Sequence, residues 1–79
     1  MISIVIAEDQ YMLRKAMIQL IEFNEEMKVI ANFENGVDTL EYIKVNHPDV
    51  AILDIEIPGI TGLEVLSEIR KANINTKVI

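Results

Sequence analysis

Two short apolar runs in this chain stop abruptly at acid. Ile2-Ser3-Ile4-Val5-Ile6-Ala7 ends at Glu8-Asp9, and Val50-Ala51-Ile52-Leu53 ends at Asp54. Runs of this kind read as buried strands of a parallel sheet. In an open parallel sheet, ligands bind beyond the carboxyl ends of the strands, near the point where strand order reverses. If the first and third strands are neighbours, the side chains of residues 8, 9 and 54 meet at one rim, however far apart they lie in sequence.

Such a rim has an electrostatic cost. Two like charges about 4 Å apart at an effective dielectric of about 20 repel by roughly 4 kcal/mol. Clustered carboxylates therefore call for a cation or a raised pKa on one of them. All the donors are oxygens, which suits Mg2+, or Mn2+, rather than zinc. A carboxylate beside Mg2+ points to phosphoryl chemistry, since an Asp can attack phosphorus and become an aspartyl phosphate. Asp54 stands alone at its strand end and is the better nucleophile. Glu8 and Asp9 sit together as metal holders. Any one of these acids alone is an ordinary solvated strand stop; the combination carries the reading.

The elements that must position them follow from periodicity. After the first strand, Leu13, Ala16, Met17, Leu20 and Ile21 form one apolar stripe of a helix that starts near Gln10, with Arg14, Lys15, Gln19 and Glu22 off it. Lys28 to Phe33 reads as a second strand. Asn35-Gly36 marks a turn or a helix N-cap. Val37, Leu40 and Ile43 form a narrower stripe, ended by His47-Pro48. After the third strand, Pro58-Gly59 breaks the chain and Thr61-Gly62 leads into a helix with Leu63, Leu66 and Ile69 inward. Asn73 to Thr76 is a loop, and Lys77-Val78-Ile79 begins a fourth strand. Alternating strands and helices imply βαβ units and a parallel sheet with helices on both faces.

Composition bounds the function classes. The chain has 79 residues, enough for one domain, with 51% hydrophobic and 25% charged residues, an ordinary globular balance. Its formal net charge is -6. Nucleic-acid binding needs clustered Lys and Arg; the seven here are scattered, so DNA binding is not expected of this segment. With no Cys there is no disulfide, thiolate nucleophile or zinc–sulfur site. No apolar run reaches the length of a membrane span and no signal peptide is visible, so a cytoplasmic location is expected. His47, the one histidine, is expected on a surface loop.

Taken together, Glu8-Asp9 after the first strand, Asp54-Ile55-Glu56-Ile57-Pro58-Gly59-Ile60-Thr61-Gly62 as D-x-x-x-P-x-x-x-G after the third, Asn35-Gly36 and Pro48-Asp49 strongly resemble the receiver domain of two-component response regulators. The resemblance covers essentially the whole chain. It implies a flavodoxin-like, doubly wound parallel sheet of order 2-1-3-4, a phosphoryl group accepted from a sensor histidine kinase on Asp54 in a Mg2+-dependent reaction, and an attached output domain, of transcriptional type, that alone would touch DNA. Asp9, with Glu8 beside it, matches the acidic pair that holds Mg2+. Glu56 matches the position whose backbone carbonyl completes the metal site. Pro58 and Gly62 match the loop that shapes the pocket. Ile6-Ala7-Glu8-Asp9-Gln10 with Arg14 is most similar to receivers joined to LuxR-type (NarL/FixJ-like) helix-turn-helix domains. A receiver of this kind is a signalling module rather than a turnover enzyme.

The chain departs from the family pattern at its end. Against a whole receiver, residues 1–79 lack the end of strand 4, helix 4, strand 5 and helix 5, and with them a switch Ser or Thr and a Lys. Apolar surface should then lie bare, and a homodimer or an element-swapped dimer is the expected state of the isolated chain. Two other readings stay open. Asp54-Ile55-Glu56 imitates the spacing of haloacid-dehalogenase-like phosphatases, and a pseudo-receiver would use the fold for interaction without phosphorylation.

Overall fold

The computed structural model describes all 79 residues. Strands β1 (Ile2–Ala7), β2 (Met27–Phe33), β3 (Val50–Leu53) and β4 (Lys77–Val78) alternate with helices α1 (Tyr11–Glu22), α2 (Gly36–Asn46) and α3 (Gly62–Lys71). The sheet is wholly parallel and its order is β2-β1-β3-β4. That is the expected doubly wound arrangement, with β1 and β3 adjacent. The order reverses between them, so their carboxyl ends border the crevice where such sheets bind ligands.

Side-chain alternation assigns the two faces. Val5, Ala7, Ala51 and Leu53 point to one side and pack with Leu40 and Ile43 of α2 and Val65 and Ile69 of α3; Ile57 and Ile74 close this core. Ile4 and Ile6 alternate with Val5 and Ala7 and are also buried. They face the side that carries α1, which packs on β1 and β2.

The helix faces differ from the sequence reading in three places. In α3 the buried residues are Gly62, Val65 and Ile69; Leu66 is half-buried, and Leu63, expected inward, is 61% exposed. The helix begins with Gly62 pressed on the Asp54 carbonyl, so the inward stripe runs i, i+3, i+7 from residue 62. In α2, Val37 points outward, while Thr39 is buried with its hydroxyl donated to the Asn35 carbonyl. In α1 only Met17 and Ile21 of the expected stripe are even half-buried; Leu13 and Ala16 are exposed, and Leu20 is 72% exposed. The one buried residue of α1 is Arg14, which periodicity had set on the solvent side.

The caps explain where helices begin. Asn35 Oδ1 accepts from Asp38 N–H at 2.8 Å. Thr61 and Glu64 form a reciprocal capping box, each side chain bonded to the other's backbone N–H at 3.2 Å. His47 ends α2 in the left-handed conformation at φ 47° and is exposed, as the loop reading required.

Candidate functional site

Glu8, Asp9 and Asp54 lie at the carboxyl edge of β1 and β3 because those two strands pair in register, Ala7 beside Leu53. The Asp54 N–H continues the ladder to the Ala7 carbonyl at 3.1 Å. One carboxylate oxygen from each of the three residues lies within 4.8 Å of the others. Glu8 is buried, Asp54 half-buried and Asp9 exposed. The rim inferred from the sequence is therefore present, with its acids graded from interior to solvent.

The electrostatics of the rim are strained. The Gln10 N–H donates to Glu8 Oε2 at 3.0 Å and by itself lowers the Glu8 pKa. Burial and the neighbouring charges of Asp54 and Asp9 outweigh it, so the group is held above its ordinary 4.5. Asp54 Oδ1 accepts from the Glu56 N–H at 3.2 Å, and Oδ2 accepts no hydrogen bond. Three oxygen donors, crowded and undersupplied with N–H groups, fit a hard divalent cation.

Glu56 itself stands outside the trio. It is exposed in the loop after β3 and reaches the site through its backbone N–H. That loop is fixed by two close approaches. Gly62 N–H donates to the Ile55 carbonyl at 3.1 Å, and a Cβ on residue 62 would lie 2.6 Å from the Asp54 carbonyl oxygen. On the other side, Gly36 N–H donates to the Pro58 carbonyl at 3.0 Å, and a Cβ there would lie 2.1 Å from the Ile60 carbonyl oxygen. Pro58 and Gly62 thus belong to a strap between α2 and α3 that sets the height of Asp54.

Arg14 is the residue that pattern reading missed. Its guanidinium donates from NH1 to the Glu8 carbonyl at 2.8 Å and stands 3.9 Å from a Glu34 carboxylate oxygen. A signal was present in the sequence. A cation in the first turn of a helix opposes the macrodipole, so it needs a partner beyond the helix.

The comparisons agree with this geometry. The family model described as response regulator receiver domain matches residues 4–79. The chain is 46% identical over 70 residues to the transcriptional regulatory protein DesR of Bacillus subtilis, covering 89% of this chain and 35% of that protein. It is 33% identical over 78 residues to a protein-glutamate methylesterase/protein-glutamine glutaminase of Clostridium acetobutylicum, covering 99% of this chain and 23% of that protein. A crystal structure of a LuxR-family DNA-binding response regulator from Staphylococcus aureus superposes with a TM-score of 0.93 at 52% identity, covering 99% of this chain and 65% of that one. The chain thus spans about a quarter to a third of these two curated relatives. With β1 beside β3, acids 8, 9 and 54 at their shared edge and the family match over residues 4–79, this chain belongs to the response regulator receiver domain family of two-component systems.

Proposed function

We propose that this chain is a phosphoacceptor module: Asp54 takes a phosphoryl group from a phosphohistidine of a sensor kinase, with Mg2+ or Mn2+ held by Glu8, Asp9, Asp54 and the Glu56 backbone carbonyl. The observation that carries the reading is the meeting of three carboxylate oxygens within 4.8 Å at the switch point of the sheet. In the transfer, an Asp54 carboxylate oxygen forms a bond to phosphorus, the donor's P–N bond breaks, and the leaving imidazole nitrogen takes up a proton. Asp54 Oδ2 accepts no hydrogen bond and is the oxygen free to attack; the Glu56 N–H holds Oδ1 and so orients the group. A divalent cation at the trio would supply neutralisation of the carboxylates and of the phosphoryl oxygens.

The added phosphoryl group brings about two negative charges and biases a two-state surface that an output region reads. DesR and the S. aureus regulator support a transcriptional output, whereas the C. acetobutylicum protein carries a methylesterase name. DNA contact belongs to such an output region and not to residues 1–79, whose net charge is -6. Coverage of 65% of the S. aureus chain supports reading these residues as the N-terminal portion of a receiver within a longer protein. No helix is long and apolar enough to cross a membrane. The exposed Leu13 and Leu20 of α1 favour self-association of the 79 residues studied alone, which light scattering would reveal as a dimer mass.

The deciding experiment is incubation with Mg2+ and phosphoramidate followed by intact-mass measurement. One phosphoryl adduct, absent without divalent ion and absent in Asp54→Asn, is expected. Multiple turnover of a phosphoester, or no adduct at all, would defeat the reading in favour of a phosphatase or an unphosphorylated interaction module respectively.

A further inference from the structure

We infer that Arg14 is a positioning residue for the acidic rim: by fixing the Glu8 carbonyl it holds the Glu8–Asp9 peptide in the orientation that brings both carboxylates to Asp54. The inference rests on the reading of residues 8, 9 and 54 as an ion site.

Arg14 is 7% exposed and is the one buried cation of the chain. A buried guanidinium is costly unless it is well partnered. Its carboxylate neighbour, Glu34, is 3.9 Å away with a side chain 71% exposed. A pair of that kind is solvent-screened and contributes little. The partner that accounts for the burial is therefore the Glu8 carbonyl at 2.8 Å, in a short charge-assisted hydrogen bond. The helix gives Arg14 no support, since its first turn is the positive end of the dipole. The guanidinium carbon lies over the ring of Tyr11, 5.5 Å from its centroid.

What that bond controls follows from how residue 8 is tied. Its N–H donates to the Phe33 carbonyl at 3.0 Å, its side chain accepts from Gln10 N–H at 3.0 Å, and its carbonyl accepts from Arg14. Residue 9 has no such anchors: Asp9 is exposed and no N–H of the chain donates to its carboxylate. The peptide plane it shares with Glu8 sets its direction, and Arg14 is the side chain that holds that plane. Arg14 thus acts on the ion site through the backbone, as residues behind a metal ligand do.

The test uses the intact protein that carries this chain, with Mn2+ alone as probe, its free signal followed by electron paramagnetic resonance. Arg14→Met keeps length and removes the donors. We expect its Mn2+ affinity to fall about 10- to 100-fold, the range seen when support behind a metal ligand is lost. Arg14→Lys, which restores one donor, should recover part of that loss, and Glu34→Gln should leave affinity unchanged. At saturating Mn2+, the phosphorylation rate of Arg14→Met with phosphoramidate should return toward that of the wild type, because Arg14 does not touch the reacting atoms. An Arg14→Met protein that melts cooperatively yet binds Mn2+ as the wild type does would overturn the inference. If the methionine variant does not fold, Arg14→Gln, too short to reach the carbonyl, replaces it with the same two outcomes. A wild type that binds no Mn2+ and forms no adduct would remove the ion-site reading itself; a wild type that does both, matched by the variant, removes only the role of Arg14.

Discussion

Both ends of the sheet carry acid, and the two ends treat it oppositely. At the amino edge, Asp49 precedes β3 beside Ser3 of β1. Its Oδ2 accepts from the Ser3 N–H at 2.8 Å and the Ser3 hydroxyl at 3.0 Å, while the Asp49 N–H donates back to that hydroxyl at 2.9 Å. The Ser3 N–H, then the hydroxyl, hold the carboxyl below its ordinary 3.8. At the carboxyl edge, Glu8 has one N–H donor and two acidic neighbours, and burial with those charges lifts it above 4.5. A carboxylate with its own donors is a staple between strands. Carboxylates that share too few donors are destabilising until something else neutralises them, which is the property of a site.

The largest expected contrast between the edges is in chemistry. Asp54→Asn should abolish the phosphoryl adduct outright, and Asp49→Asn should leave it in place; intact mass after phosphoramidate treatment reads both. An adduct that survives Asp54→Asn but not Asp49→Asn would invert the assignment of the two edges. Next comes the ion. Asp9→Asn should weaken Mn2+ binding at least tenfold, about 1.4 kcal/mol, whereas Ser3→Ala should not change it.

The carboxyl edge is also the more tightly built. Gly62→Ala and Gly36→Ala must displace a carbonyl that would lie 2.6 Å or 2.1 Å from the new Cβ, and each should cost about 1–3 kcal/mol in urea unfolding. A neutral result at both would show that the strap is loose. Smaller, and opposite in sign at the two edges, are the effects of removing charge or donors. Ser3→Ala should destabilise by about 1 kcal/mol through the lost hydrogen bonds. Glu8→Gln should stabilise at neutral pH in the absence of divalent ions, because a raised folded pKa means that stability declines as pH rises from 4.5 through the folded value. Added Mg2+ should reverse that ranking.

The finest distinction is the pH at which each advantage fades. Asp49 is lowered on folding, so its contribution is complete above 3.8 and disappears as pH falls through its folded value. Wild type and Asp49→Asn should therefore converge in thermal midpoint in acid, while wild type and Glu8→Gln should converge below 4.5.

Much of this was legible from residue types. Strand runs ending at Glu8-Asp9 and Asp54, the turn or cap at Asn35-Gly36, the helix start after Thr61-Gly62, and the D-x-x-x-P-x-x-x-G spacing each report a local constraint that any fold must satisfy. Boundaries followed closely, with β2 starting at Met27 rather than Lys28. The reading failed where burial depended on a neighbour. Leu63, read as inward, is exposed and Val65 is buried, because the Gly62 contact with the Asp54 carbonyl, a packing fact outside the helix, sets the rotation of α3. Leu20 fits the α1 stripe by period but has nothing over it. Arg14 looked like a solvent residue because periodicity weighs side chains by polarity and cannot see a carbonyl waiting beneath one.

By itself, the sequence determined the alternation of strands and helices and the acids that end β1 and β3, because hydrophobic period and turn chemistry act between residues close along the chain. The strand order 2-1-3-4 was implied by resemblance alone; the tertiary structure decided the register that sets Ala7 beside Leu53 and the gathering of three carboxylate oxygens within 4.8 Å. Those facts depend on strand pairing and on the desolvation and hydrogen bonding that follow from it, and such forces act through space between residues that the chain keeps far apart.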